Sequence, residues 1–551
     1  MTIYARLAAL ANRRPRLFLV FLCAGLWIPG LFVLPPTDRD ESRFALATRQ
    51  MVETGDYVRI MNGAEPRSKK PIGIHWLQAP FVLAARAAGA ADGNPIWPYR
   101  IASLLGGLVA VLATEAIGRT LLASRRAGLL AGAMLGASVI LSVETHLAKT
   151  DAALLGATTL AMAMLARAWS GRTVGWVQAA IFWVAVGSGI LIKGPVTPMV
   201  VGLAAAGASL AGGHVAWLRC LRPAWGVPLL AAVVLPWFVA IAVDTHGAFF
   251  AQAVGGDLGQ KLAGGAESHG APPGLHLLLL PFLAFPSTVP ALLGLAAAVG
   301  RQRAPATTFL LAWLLPAWLL FEIVPTKLPH YTLPLYPALF LLAAAFLDGW
   351  GMPVATRRPF VGPRARGILA RGLLVLASAG LAGAALAVPI ILQARWWLGV
   401  PAALLVVPVS WLAFRNRPLA AAVCAAPLYA ALLQWELPRL EPLWIAPRAV
   451  AALRAAWPGV PVDGAGLFAV GYAEPSLMLL AGPRLHWLPT GALAAQAWSR
   501  LPHAAAFIAA PEVASFEATA ARVGVAAVPA ARIGGVDYAR GRAVDLDLFV
   551  R

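Results

Sequence analysis

The chain has 551 residues, of which 60% are hydrophobic and only 12% charged, with a formal net charge of +20 and a mean hydropathy of +0.73. A soluble domain carries about a quarter charged residues, so the composition excludes a soluble protein and points to a polytopic helical membrane protein. It also excludes a nucleic-acid binder, because the arginines punctuate the gaps between apolar runs instead of gathering on one domain.

Taken in order, the chain places Arg13, Arg14 and Arg16 ahead of an apolar run from Leu17 to Leu34. No small-residue cleavage site follows, so the run reads as an uncleaved first span with its basic end in the cytoplasm. The stretch from Pro35 to Pro98 is then the first outer loop, and between Asp38 and Lys70 it mixes acids and bases at a density found in few other places. Glu41–Glu53 reads as a surface helix, and Ile72–Ala90, apolar but short for a crossing, as a juxtamembrane helix. Further spans are predicted at 99–117, 127–145, 148–168, 174–191, 195–211, 224–243, 272–299, 306–324, 331–349, 368–390, 396–414 and 418–435, thirteen in all. Each approaches the length needed for a hydrocarbon core of about 30 Å.

Alternate gaps are arginine-rich and nearly free of acids, as at Arg119/Arg125/Arg126, Arg219/Arg222 and Arg415/Arg417, which is the cytoplasmic signature. The complementary gaps hold Glu144, Lys149, Asp151, Lys193, Lys261, Lys327, His330 and Tyr331, all on the face of Asp40. Three cysteines (Cys23, Cys220, Cys424) lie far apart and indicate no disulfide framework. Residues 437–551 alternate short apolar runs (Gly466–Val470, Ala505–Ala509, Val523–Val528) with helix-like segments, so the expected organisation is a transmembrane module over 1–436 and a small α/β domain over 437–551. In a bacterium this places the chain in the inner membrane, with a cytoplasmic N-terminus and the C-terminal domain in the periplasm.

No P-loop, nucleophile-elbow or zincin motif is present. Transfer of a sugar from a lipid carrier needs less: a carboxylate at the acceptor, and cations to neutralise a departing phosphate. Asp40 and Glu41 are the catalytic candidates from the first loop, although acids in the first turn of a helix also serve as caps. Lys70, held extended by Pro71, is the leading phosphate cation, with snorkelling to the interface as the plainer account. Asp151 beside Lys149 reads equally as a structural ion pair, Lys193-Gly194-Pro195 as a turn between spans, and His330-Tyr331 as part of an aromatic belt.

Asp40-Glu41-Ser42-Arg43-Phe44-Ala45, Thr54-Gly55-Asp56-Tyr57, Asn62-Gly63 and Lys70-Pro71 through His75-Trp76 resemble the first periplasmic loop of the ArnT-like lipid-linked-sugar glycosyltransferases. That family has the GT-C fold and is related to the protein O-mannosyltransferases. The resemblance extends to Lys149-Thr150-Asp151, Lys193-Gly194-Pro195, Lys327 to Tyr331 and Gly471 to Ser476, and so covers nearly the whole chain. It implies that Asp40 is the acid central to catalysis, that Asp151 is a second acid near the same cavity, and that Lys70, Lys261 and Tyr331 meet the carrier phosphate. Arg43 and His330 join the substrate-binding candidates as members of these motifs. Two departures stand out. Lys261 replaces an arginine, which loses the bidentate fork. Lys69 replaces the glutamate ahead of Lys-Pro, at a place associated with metal contact in this fold, so whether a divalent metal takes part is left open.

The function implied is transfer of a sugar, 4-amino-4-deoxy-L-arabinose being the family's, from a polyprenyl-phosphate donor to lipid A or another envelope acceptor. Asp40 and Lys70 are expected to face one pocket at the outer leaflet. The alternatives are a GT-C enzyme that glycosylates protein or another glycan, and a flippase or transporter of lipid-linked sugars.

Overall fold

The computed structural model describes residues 11, 13–90, 94–259, 270–299, 304–349, 362–458 and 462–551. Among these, nine helices are long and apolar enough to cross a membrane, and the pair Arg125–Ala137 and Val139–Thr145, bent by 61°, makes a tenth if taken as one span. Three shorter apolar helices, Pro15–Trp27, Val196–Gly212 and Thr288–Val299, occupy the other predicted positions. They contain 13, 17 and 12 residues. At about 1.5 Å per residue they fall short of a full hydrocarbon core, which is where the structure departs from thirteen regular spans. The chain is a multi-pass membrane protein, and Leu210, Leu278, Ile391 and Val407 are exposed on its flanks, as leucine and valine facing lipid tails would be.

Small residues set the helix spacing near the outer loop. A methyl group added at Gly106 would lie 2.5 Å from the Ala153 Cα, and one at Gly156 would lie 2.6 Å from the Gly106 carbonyl oxygen. The helices Trp97–Leu121 and Thr150–Trp169 therefore pack backbone against backbone, in the manner of small-residue membrane interfaces. That contact fixes Arg100 on one helix and Asp151 on the other.

The first long loop is itself folded. Asp40–Thr54 is helical, with Asp40 and Glu41 in its first turn and Gly55 ending it at φ +73°. Phe44, Ala45, Ala47, Thr48 and Met51 are its buried stripe. A two-strand hairpin, Met61–Asn62 with Glu65–Pro66, leads to Lys69-Lys70-Pro71 and then to the helix Gly73–Ala87, at the position expected of the juxtamembrane segment. Gly73 abuts the helix Trp176–Lys193 so closely that an added methyl would lie 2.7 Å from the Leu191 carbonyl.

The C-terminal residues form a five-stranded mixed sheet in the order His486–Trp487, Leu467–Val470, Ala505–Ala509, Arg542–Val550, Pro529–Asp537. The first two pairings are parallel and the last two antiparallel. Two of the three expected apolar runs are strands. Val523–Val528 is not, because the helix Ala510–Arg522 runs directly into it and the strand starts at Pro529. One face of the sheet packs on Trp498 and Phe516. The other shares a core with Ala45, Leu46 and Val82 of the first loop and with Ile96 and Tyr99. The division expected at 437 is thus crossed by continuous apolar packing, and the C-terminal domain sits on the helix that begins with Asp40.

Candidate active site

Adjacent residues at the start of the Asp40–Thr54 helix have different environments. Glu41 points inward, with its side chain 1% exposed. It accepts from Arg100 Nε at 2.8 Å and Nη2 at 3.0 Å, from Thr37 N at 2.8 Å and Oγ1 at 2.9 Å, and from Ala148 N at 2.8 Å. Burial favours its neutral form, but Arg100 foremost and these hydrogen bonds hold its pKa below the usual range. Arg100 in turn donates to the carbonyls of Leu31, Leu34 and Pro35. Glu41 therefore has no capacity left for substrate. This corrects its candidacy as a catalytic acid: it anchors the loop.

Asp40 faces the other way, into a pocket. Its Oδ1 lies 3.8 Å from Arg67 Nη2 and 3.9 Å from Arg43 Nη1, and its side chain is 41% exposed. Partial burial would raise its pKa, but Lys70, then Arg67, Lys149 and Arg43, outweigh that and hold it well below the usual carboxylate range. Lys70 Nζ stands 5.0 Å from the Phe44 ring centroid and the Arg67 guanidinium 4.6 Å from the same ring. Burial, offset in part by Asp40, pushes the Lys70 pKa down to about 8.

Around Asp151 the ends of four helical segments converge. Lys193 Nζ, at the end of the helix Trp176–Lys193, lies 2.5 Å from Asp151 Oδ1. Lys149 Nζ is 2.9 Å from Glu144 Oε1 and 3.7 Å from Asp151 Oδ2. His330 bridges the pair, with Nδ1 3.6 Å from Glu144 and Nε2 3.7 Å from Asp151. Lys193 also lies 5.2 Å from the centroid of the Tyr331 ring. Five cations (Lys70, Lys149, Lys193, Arg43, Arg67) thus surround three carboxylates (Asp40, Glu144, Asp151), a surplus suited to anionic ligands.

Two cavities meet here. One, of about 530 Å³, is walled by Met199, Phe238, Phe249, Phe250 and Phe321 and headed by Lys69, Lys70, Lys193, Asp151, His330 and Tyr331. The other, of about 220 Å³, is lined by Asp38, Arg39, Asp40, Arg43, Lys149 and His330 among others. Asp40 and Lys70 therefore do not open onto one pocket, as the sequence leads one to expect. They line adjoining cavities with His330 in the wall of both.

Of the residues expected at the site, Asp40, Arg43, Lys70, Asp151, His330 and Tyr331 come together here, and Lys261 lies outside the described residues. Four further residues belong here too: Lys193, read as part of a turn, Lys149, read as half of an ion pair, and Glu144 and Arg67, to which the sequence reading assigns no individual role. For Lys193 the available signal is a lysine closing an 18-residue apolar helix, where an unpaired charge is costly.

A divalent metal does not fit this donor set. Among the described residues no three His, Cys, Asp or Glu side chains are placed to share an ion. The carboxylates Glu144 and Asp151 are already engaged by the ammonium groups of Lys149 and Lys193, and Lys69 adds a further cation.

An apolar cavity with a cationic head, set beside a carboxylate at one end of a helical bundle, is an arrangement suited to a membrane-embedded transferase acting on an anionic lipid. Residues 69–241 match the family model described as dolichyl-phosphate-mannose-protein mannosyltransferase. The chain is 26% identical over 431 residues to the undecaprenyl phosphate-alpha-4-amino-4-deoxy-L-arabinose arabinosyl transferase of Pectobacterium atrosepticum, covering 73% of each chain. It is 26% identical over 338 residues to arabinosyl transferase 2 of Pseudomonas fluorescens, covering 59% of this chain and 56% of that one. Among solved structures it resembles ArnT from Cupriavidus metallidurans bound to undecaprenyl phosphate, with a TM-score of 0.71 at 21% identity over 96% of this chain and 97% of that one. The apo form of the same protein gives a TM-score of 0.70 at 20% identity, covering 97% of both chains. The chain shares the GT-C fold of these ArnT structures and resembles the lipid-linked-sugar glycosyltransferases among its relatives.

Proposed function

We propose that this chain moves a sugar from a polyprenyl-phosphate carrier, undecaprenyl phosphate, to a phosphate of lipid A on the periplasmic face of the inner membrane. 4-Amino-4-deoxy-L-arabinose, which the named relatives transfer, is the sugar proposed. The observation that carries this reading is the pairing of the two cavities. The larger offers an apolar wall for a prenyl tail and a head of lysines for its phosphate. The smaller brings Asp40, Arg43 and Lys149 to the acceptor side.

In this reading an acceptor oxygen forms the new bond to the sugar C1 while the bond from C1 to the carrier phosphate breaks, and the electron pair leaves with that phosphate. Lys70 and Lys193 neutralise the charge that develops there. Tyr331, beside Lys193, completes that wall, and His330 stands between leaving group and acceptor. Asp151 holds Lys193 in place. The cations around Asp40 favour its ionised form and so weaken it as a base. Its carboxylate instead stabilises the positive charge that builds on C1. A phosphate acceptor suits that role, since a phosphate monoester with a second pKa of about 6 is already an anion and needs no base. Arg43 and Lys149 are placed to receive it.

The test is turnover of purified Asp40→Asn protein with polyprenyl-phosphate-linked aminoarabinose and lipid A. A loss in kcat of about a hundredfold or more is expected, the scale of removing one electrostatic stabiliser; full turnover would overturn the mechanism. Mass spectrometry of envelope lipids with and without the gene checks sugar and acceptor together.

A further inference from the structure

Asp40 follows a residue whose backbone is unusual. Arg39 has φ +60° and ψ −113°, the conformation of the first central residue of a type II′ turn, where glycine is the normal occupant. The Asp40–Thr54 helix receives no side-chain capping bond from this residue. Such a conformation persists in an arginine only where the surroundings over-determine it.

Those surroundings come from the C-terminal domain. The Arg39 guanidinium donates to the carbonyl of Ala539. The N–H of Asp38 donates to the Tyr538 hydroxyl at 2.6 Å. The Ser476 hydroxyl donates to the Asp38 carboxylate. Tyr538 and Ala539 form the tip of the hairpin joining Pro529–Asp537 to Arg542–Val550, and Ser476 lies in the first turn of the helix Pro475–Ala481. The tip is itself braced. The Arg540 N–H donates to Asp537 Oδ1 at 3.2 Å, and Arg542 donates to the Gly471 carbonyl at 2.9 Å. Asp537, 1% exposed, lies 3.6 Å from Arg542. On the far side of Asp40, Glu41 is locked to Arg100 and Ala148.

We propose that the C-terminal domain is a positioning device for the transfer reaction. Its hairpin tip, gripping Arg39 through the Ala539 carbonyl and Asp38 through Tyr538, together with Ser476 on Asp38, holds Arg39 in this positive-φ conformation, and this sets the direction in which the Asp40 carboxylate leaves the backbone. Tyr538 and Ser476 are thus positioning residues that act through Arg39. The inference rests on Asp40 as the catalytic carboxylate.

The experiment compares wild type, Ser476→Ala/Tyr538→Phe, and the same double variant carrying Arg39→Gly, all as full-length protein in detergent with donor and lipid A. Loss of the clamp is expected to lower kcat about tenfold with both KM values within about twofold, because an interaction realised at the transition state is lost. Glycine adopts φ +60° without being forced, so Arg39→Gly is expected to bring kcat back to within about threefold of wild type, a rescue that a merely structural contact would not give. An unchanged kcat in the clamp variant, or a loss that glycine does not restore, overturns the proposal. Should the double variant fail to fold, Tyr538→Phe alone is read by the same criteria. Asp40→Asn, run alongside, separates the two failures. Its full turnover sinks the underlying mechanism, whereas an inactive Asp40→Asn beside a fully active clamp variant sinks only the positioning role.

Discussion

Lys70 offers a pH test with a definite sign. Burial brings its pKa down from 10.5 to about 8, against the pull of Asp40, with Lys193 and Arg67 lowering it further and Asp151 raising it. Capture of an anionic donor requires the protonated form. With a pKa of about 8, the charged share falls from about 90% at pH 7 to about 10% at pH 9, so kcat/KM for the donor should drop about tenfold across that window. The donor phosphodiester and the acceptor phosphate keep their charge above about pH 7, and the amino group of the sugar, which does titrate in this range, is common to wild type and the Lys70→Arg control. Asp38, pushed up to about 7 by burial, titrates across the acid edge of this window in wild type and Lys70→Arg alike. Once donor is bound its negative charge favours protonated Lys70, so kcat at saturation should decline only at higher pH. The assay is initial-rate transfer from pH 6.5 to 9.5 at subsaturating and saturating donor, on wild type and Lys70→Arg. A guanidinium stays charged throughout this range, so the Arg variant should give a lower but flat kcat/KM profile. A wild-type profile flat from pH 7 to 9.5, or an Arg variant that falls along the wild-type curve, would refute the assignment of Lys70 to the donor phosphate.

Glu41→Gln should behave as a stability variant. It strands Arg100, whose side chain is 0% exposed, and removal of one partner from a buried pair costs about 3–5 kcal/mol. A lowered melting temperature in detergent and poor yield are expected, without the clean kcat loss of Asp40→Asn. Gly73→Ala should push the juxtamembrane helix off the Leu191 carbonyl, 2.7 Å from the added methyl, at an overpacking cost of about 1–3 kcal/mol. Because Lys70 precedes one of these helices and Lys193 ends the other, donor KM is expected to rise along with the drop in melting temperature; a KM at the wild-type value would show that the lysine spacing is not set there.

The membrane class and most spans were legible because apolar length and arginine placement are one-dimensional signals. The shortfall lay at the three helices of 12 to 17 residues, where hydropathy continued into flanking turns that the helix did not. At the site, Asp40, Lys70, Asp151 and His330 were legible through motif order, and charge density alone ranked Asp40 and Glu41 together. Their separation depends on which side of one helical turn faces Arg100, and Arg100 lies 59 residues away from Glu41 in sequence. Lys193 was read as part of a turn because Lys-Gly-Pro has strong local turn chemistry; its partner Asp151 lies 42 residues upstream. The grip of Tyr538 on Asp38 spans 500 residues, and no local pattern reports a contact of that range.

The division into two adjoining cavities bears on how one set of cations can serve two anionic substrates. Lys70 and Lys193 head the larger cavity, Arg43 and Lys149 face the smaller, and His330 is common to both. Two anions confined to a single pocket would repel each other and compete for the same lysines. Separate cationic heads let each bind in its own cavity, and only the sugar C1 and the attacking oxygen need meet at the shared wall. In the proposed mechanism Asp40, in the wall of the smaller cavity, acts from the acceptor side of that meeting point, and the cations around it favour its ionised form. Its carboxylate and the charge developing on C1 attract, whereas its effect on either phosphate is repulsive. A group that destabilises both ground-state anions and stabilises the cationic transition state contributes to kcat rather than to binding. For that reason its removal should leave donor affinity intact or improved while turnover collapses.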